Sequence, residues 1–315
     1  MKKESIEKSK KTTAFRPNRM ASEGILSNSA VIVTSILLVA SVFGLIATGE
    51  WKEPEEGIGV VVSILPQAEF ARAVGGDNVQ VSVMVPQGEE PHTYEPTTAQ
   101  IRYLESADIY FKVGSGIDFE ISWMDRFQAI NPDMLIVDGS DGISLIPMAD
   151  QSEIGEDPHI WLSPINAKRM VENLMEGLTE IDPGNTSYYE DNAAGYIAEL
   201  ESLDASIYGS FSALETPKFL SYHAAWGYFA ERYGLEQIQI EEEGKEPTAY
   251  SLAKIIDQAV EEDIDVVLIS PAFSTRAANQ IAEEIGGVVV ITDPLAEDYI
   301  ESLRSFSDEL SGWLK

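Results

Sequence analysis

The sequence predicts two α/β lobes, each a parallel sheet covered by helices, joined by one long rigid helix and preceded by an apolar N-terminal helix. Three observations carry this. From about residue 58 onward, short apolar runs alternate with amphipathic ones, the pattern of a parallel sheet whose crossovers are helical. At mid-chain, after the breaker Asp182-Pro183-Gly184-Asn185, apolar residues recur at intervals of three and four from Tyr189 through Tyr196, Leu200, Leu203 and Ile207 to Phe211. Those intervals describe one long helix. Beyond Pro217 the alternation of short apolar runs and amphipathic stretches resumes.

The elements follow in order. Gly59–Leu65 is apolar and uncharged, a buried strand, and Ala68–Val74 follows as a short helix. Val79–Val85 is the second strand. Thr97 is a helix N-cap, and the helix runs from it to Ser106 through Ile101 and Leu104. Asp108–Val113 is a strand, Phe119–Ala129 a helix and Met134–Val137 a strand. From Pro164 the spacing of Met170, Leu174 and Leu178 marks a helical face. In the second half, strands fall at Phe219–Tyr222, Leu235–Ile240, Val266–Ile269 and Val288–Ile291. Helices fall at Ala224–Tyr233, Ala249–Glu261 and Thr275–Ile285, with a last one ending at Trp313. The domain layout is then a basic segment 1–29, an apolar helix 30–48, a tether 49–58, a first lobe 59–184, a linking helix 185–214 and a second lobe 215–315.

Charge is unevenly spread. The chain has 21 Lys/Arg and 53 Asp/Glu, for a formal charge of −32. Residues 1–49 hold seven of the basic residues and three of the acids, so the rest of the chain sets 14 basic against 50 acidic residues. Such a body repels nucleic acid. Ala30–Thr48 is nineteen residues without a charge, close to the roughly 20 needed to span a bilayer and longer than the apolar core of a secretory signal. Its basic flank keeps residues 1–29 in the cytoplasm and places the body outside. The reading is a membrane anchor, with a secreted or periplasmic body if the chain is cut near Ala47. There is no cysteine, which excludes disulfides, thiolate metal sites and lipid attachment through sulfur.

Only three histidines occur, His92, His159 and His223. Each follows a predicted strand, where sites form in layered α/β proteins. His92 lies in Gly88-Glu89-Glu90-Pro91-His92-Thr93-Tyr94-Glu95-Pro96, a loop stiffened by two prolines. His159 lies in Asp157-Pro158-His159-Ile160-Trp161, beside an acid. His223 ends the strand Phe219–Tyr222. Asp293, in Thr292-Asp293-Pro294-Leu295, occupies the same kind of position. Three imidazoles and a carboxylate form a four-donor set for a divalent transition metal. Two donors come from each lobe, so a cleft between lobes would gather them. The run Glu241-Glu242-Glu243-Gly244 reads as a solvated loop. No nucleotide-binding glycine motif and no nucleophile elbow is present.

At these residues the chain resembles the metal-binding components of zinc and manganese importers driven by ATP-binding cassettes (ABC importers). The phrases that carry the likeness are VVVSILPQ, GEEPHTYEPT, DIYFKVGSGID, DPHIWLSPINA, FLSYHAAWGYFAERYGL and ITDPL, in that order between Gly59 and Lys315. The resemblance implies two Rossmann-like α/β lobes bridged by a rigid helix, with His92, His159, His223 and Asp293 as ligands. Members taking manganese tend to have a carboxylate at the third position and zinc members a histidine, so His223 implies Zn²⁺, with Mn²⁺ or Fe²⁺ as alternatives. It also implies a monomer outside the cytoplasm that docks on a membrane permease with a cytoplasmic ATPase. The histidine-rich loop of many zinc members is replaced here by the short acidic Met148–Glu156. A four-donor protein shell argues against catalysis, which needs an open position. The rival readings are a zinc hydrolase with Asp293 or Glu95 as base, and a metal-dependent adhesin.

Overall fold

The computed structural model describes residues 57–148, 155–214, 217–241 and 245–314. These lie within one compact unit, Pro54–Lys315. The segments 1–29 and 30–48, and most of the tether, lie outside the described residues. Among the described residues no helix is long and apolar enough to cross a membrane.

The first sheet is built from β1 (Ile58–Val62), α1 (Leu65–Gly75), β2 (Val79–Val83), α2 (Thr98–Leu104), β3 (Ile109–Lys112), α3 (Asp118–Ile130) and β4 (Leu135–Asp138). Its strands lie in the order β2-β1-β3-β4, all parallel. Val60, Val61 and Val62 are fully buried, as a strand covered on both faces requires. The strand stops earlier than its apolar run suggests. Pro66 sits in the first turn of α1, where a missing N–H has no helical partner to lose. Gln67 then accepts from the Ser63 and Ile64 N–H groups at 3.1 and 3.2 Å and donates to the Phe111 carbonyl at 3.0 Å. Glu120 of α3 accepts from Ser63 Oγ and from the Val113 and Gly114 N–H groups. Burial pushes its carboxyl pKa up against those hydrogen bonds. Gln67 and Glu120 thus fill the crevice between β1 and β3 with protein. Thr97 caps α2 as expected, its side chain accepting from the Gln100 N–H.

Helices α4 (Pro164–Ile181) and α5 (Thr186–Phe211) separate the two sheets in sequence. The second sheet comprises β5 (Lys218–Ser221), α6 (Gly227–Tyr233), β6 (Glu236–Gln239), α7 (Ala249–Glu261), β7 (Val266–Ile269), α8 (Thr275–Ile285), β8 (Val288–Ile291) and α9 (Tyr299–Trp313). Its order, β6-β5-β7-β8, repeats that of the first sheet, again all parallel. Helix α6 begins at Gly227, three residues later than the expected Ala224. His223 is therefore held in a turn before the helix, with Ser221 Oγ donating to its carbonyl at 2.6 Å.

Two apolar clusters divide the second sheet by face. Val266 and Leu268 of β7 join a core continuous with the first lobe, whereas Val267 and Ile269 join a separate cluster under α7 and α8. This is the period-two alternation of a strand. The long helix α5 packs on α1 and α4 of the first lobe and on α9 of the second. Its buried apolar positions, Tyr189, Ala193, Tyr196, Leu200, Leu203, Ile207 and Phe211, belong to the shared core. The lobes are therefore welded along α5 by apolar burial, each fully buried large side chain contributing about 1.5–3 kcal/mol.

Candidate metal centre

Parallel strands deliver their following loops to one end of each sheet, and the ends of the two sheets meet. His92 follows β2, His159 follows β4, His223 follows β5 and Asp293 follows β8. All four line one cavity together with Glu90, Trp161 and Phe273. It continues into a wider cleft walled by Glu90, Asp118, Glu156 and Glu241, which also touches the three histidines. The rings are close: His159 and His223 centroids lie 5.0 Å apart, and His92 and His223 centroids 5.5 Å apart.

Each imidazole has its Nδ1 on a carboxylate. His159 Nδ1 lies 2.8 Å from Asp157 Oδ1, which also accepts the His159 backbone N–H at 2.9 Å. His92 Nδ1 lies 2.6 Å from Asp118 Oδ2. His223 Nδ1 is bonded to Glu241 Oε1. A carboxylate on Nδ1 holds the proton there and leaves the Nε2 lone pair for a metal. All three imidazoles of the cavity are thus engaged by a carboxylate through Nδ1.

Two of those nitrogens already face each other. His159 Nε2 and His223 Nε2 stand 3.1 Å apart, against about 3.3 Å for two nitrogens bound to one tetrahedral zinc at roughly 2.05 Å. Their pKa shifts run in opposite directions. Burial lowers that of His159, and the bond to Asp157 only partly opposes it. At His223 burial acts the same way but Glu241 outweighs it, so its pKa is raised. Glu90 stands 3.6 Å from His92 Nε2. Asp293 Oδ1 accepts the Leu295 N–H at 2.9 Å, an Asx turn that orients the carboxylate. Among the described residues no group of three or more His, Asp or Glu side chains is disposed to hold a metal ion as it stands. His159 and His223 are the pair whose Nε2 atoms face each other, and His92 and Asp293 share the cavity wall.

The surroundings fix Asp157 from both lobes. Its N–H donates to the Ile146 carbonyl at 2.8 Å, and its carbonyl accepts from Tyr228 Oη of α6 at 3.0 Å. Gly227 packs so close that a Cβ there would lie 2.2 Å from Asp157 Oδ2. Phe273 lies 5.8 Å from the His223 ring, tilted by 31°.

The sequence reading missed Asp118 and Glu241. Glu241 is 5% exposed and bonded to His223, not solvated as its run of glutamates suggested. The remainder of that run, residues 242–244, lies outside the described residues. A usable signal existed for both acids. Asp118 opens the helix after β3 and Glu241 comes two residues after β6, at the same sheet ends as the histidines.

The family model described as zinc-uptake complex component A, periplasmic, matches residues 60–312. The high-affinity zinc uptake system protein ZnuA of Bacillus subtilis is 30% identical over 278 residues, covering 84% of this chain and 87% of that protein. The manganese-binding lipoprotein MntA of Halalkalibacterium halodurans is 28% identical over 287 residues, covering 87% and 93%. A crystal structure of ZnuA superposes with a TM-score of 0.77 at 39% identity, covering 82% of this chain and 99% of that one.

Proposed function

The chain belongs to the family of the periplasmic component A of zinc-uptake complexes, and from that membership we propose that it is the solute-binding component of an ABC importer that captures a divalent transition metal, zinc first, and delivers it to a membrane permease. Members of this family bind and carry metal for transport and are not enzymes. Zinc is the cargo. His159 and His223 would take it first through their facing Nε2 atoms, with His92 and Asp293 completing the set. Asp157, Glu241 and Asp118 hold the rings in the ligating tautomer.

One observation carries the reading: three imidazoles of one cavity, each with Nδ1 engaged by a carboxylate. Three nitrogens and one oxygen suit zinc; an oxygen-rich set suits manganese. The body would work outside the cytoplasm, with the apolar helix 30–48 as its tether to the membrane and the permease and its cytoplasmic ATPase as partners.

Calorimetry and thermal melting of the body from residue 54 onward test this. Zinc is expected to bind with a single site and to raise the melting temperature, since ligand at 100 times Kd adds about 2.7 kcal/mol. EDTA should reverse the gain, and manganese should give less of it. A melting curve that neither zinc, manganese nor EDTA moves would sink the proposal. Equal or tighter manganese binding would keep the transport role and change the cargo.

A further inference from the structure

We propose that Trp161 is a positioning residue for Asp293, strapping the loop after β8 to the first lobe so that Asp293 is carried by the frame that holds His92 and His159. The inference rests on Asp293 being a ligand. By chain order Asp293 belongs to the second lobe, and the Thr292 N–H before it donates to the Ile269 carbonyl of β7 at 2.9 Å, yet the loop beyond it is fastened to the first lobe. Trp161 Nε1 donates to the Pro294 carbonyl at 2.8 Å, one residue from the carboxylate. Tyr299, which opens α9, donates through Oη to the Trp161 carbonyl at 2.6 Å. Its own N–H is accepted by Glu69 of α1, whose other oxygen accepts Tyr196 Oη at 2.6 Å. Arg72 of α1 pairs with Glu297, and the Tyr299 ring stands edge-on to Phe70 at 4.9 Å.

Residues 294–299 therefore make five contacts with α1 and with the turn after His159, four of them polar. Trp161 is central to them. It is 1% exposed and its ring lies 5.3 Å from that of His159. One side chain thus packs on one donor of the set and hydrogen-bonds the backbone beside another. Its buried N–H has the Pro294 carbonyl as partner, so the loop cannot drift without leaving that donor unsatisfied. The set divides mechanically as three and one. His92, His159 and Asp293 share the first-lobe frame, and His223 with Glu241 comes from the second sheet. Separation of the lobes would part His223 from the other three, instead of parting two donors from two.

The test is a double-mutant cycle on zinc affinity, read by chelator competition, with the metal-free melting temperature recorded alongside. Trp161→Phe keeps an aromatic ring, smaller than the indole, and removes the donor, and should weaken zinc binding about tenfold, the lower end of what an outer-shell partner supplies. Asp293→Asn should weaken it more. If Trp161 acts through Asp293, the double variant binds no more weakly than Asp293→Asn alone. Losses that simply add overturn the proposal while leaving Asp293 a ligand. Unchanged affinity in Asp293→Asn removes Asp293 from the ligand set, and the proposal with it. Tyr299→Phe, which takes away a second tie at constant ring volume, runs the same cycle should Trp161→Phe melt early, and additive losses there count equally against the strap.

Discussion

The two histidines of the first lobe carry the same chemistry in opposite surroundings. His159 and its partner Asp157 have side chains 9% and 2% exposed; His92 and its partner Asp118 are 37% and 58% exposed. Both pairs are Nδ1-to-carboxylate contacts of ordinary length. The buried pair is built into the backbone, since Asp157 also takes the His159 N–H and is gripped by Ile146 and Tyr228. The exposed pair joins a loop to the first residue of α3 and is open to water and salt. Exposed charge pairs contribute little, while buried ones lose heavily when one member is removed. Equal geometry therefore does not mean equal worth, and burial decides which pair preorganises the site.

Substitutions can break or sharpen that contrast, and their effects should fall in order. His159→Ala should cost the most, exceeding the roughly 100-fold that marks the upper end for outer-shell partners. Calorimetry reads it, with circular dichroism checking that the fold is kept; retained affinity would expel His159 from the site. Asp157→Ala comes next, near 100-fold, with Glu241→Ala close behind because Glu241 is nearly as buried. Asp118→Ala should cost less than tenfold, and its effect should shrink further as salt is added, since exposed charges are screened over about 10 Å at 0.1 M. An Asp118 loss equal to that at Asp157 would mean that burial is not what ranks the pairs.

Much of the scaffold was legible because its signals are local. Helices Ala249–Glu261 and Thr275–Ile285 and strands Val266–Ile269 and Val288–Ile291 fall where periodicity puts them. The misses have local causes of their own. Pro66 turned the end of an apolar run into a helix start. The His223 turn delayed α6, which packs so tightly on Asp157 that only glycine fits at its first position. Within the site, three histidines in the whole chain left little choice. The carboxylates were another matter, because among 53 acids only their place at the sheet ends marks Asp118 and Glu241, and that place depends on how the strands are ordered.

What the sequence by itself determined was a pair of α/β layers bridged by a long helix, and the four side chains delivered to the strand ends. Those follow from hydrophobic period and from the scarcity of histidine, both properties of neighbouring residues. Only the tertiary structure decided that His159 and His223, 64 residues apart, bring their Nε2 atoms to 3.1 Å, and which acid each imidazole meets. It also decided that the Asp293 loop is tied to the first lobe through Trp161. The physical reason is that such contacts are made by packing the shared core around α5, which joins segments that no local pattern relates.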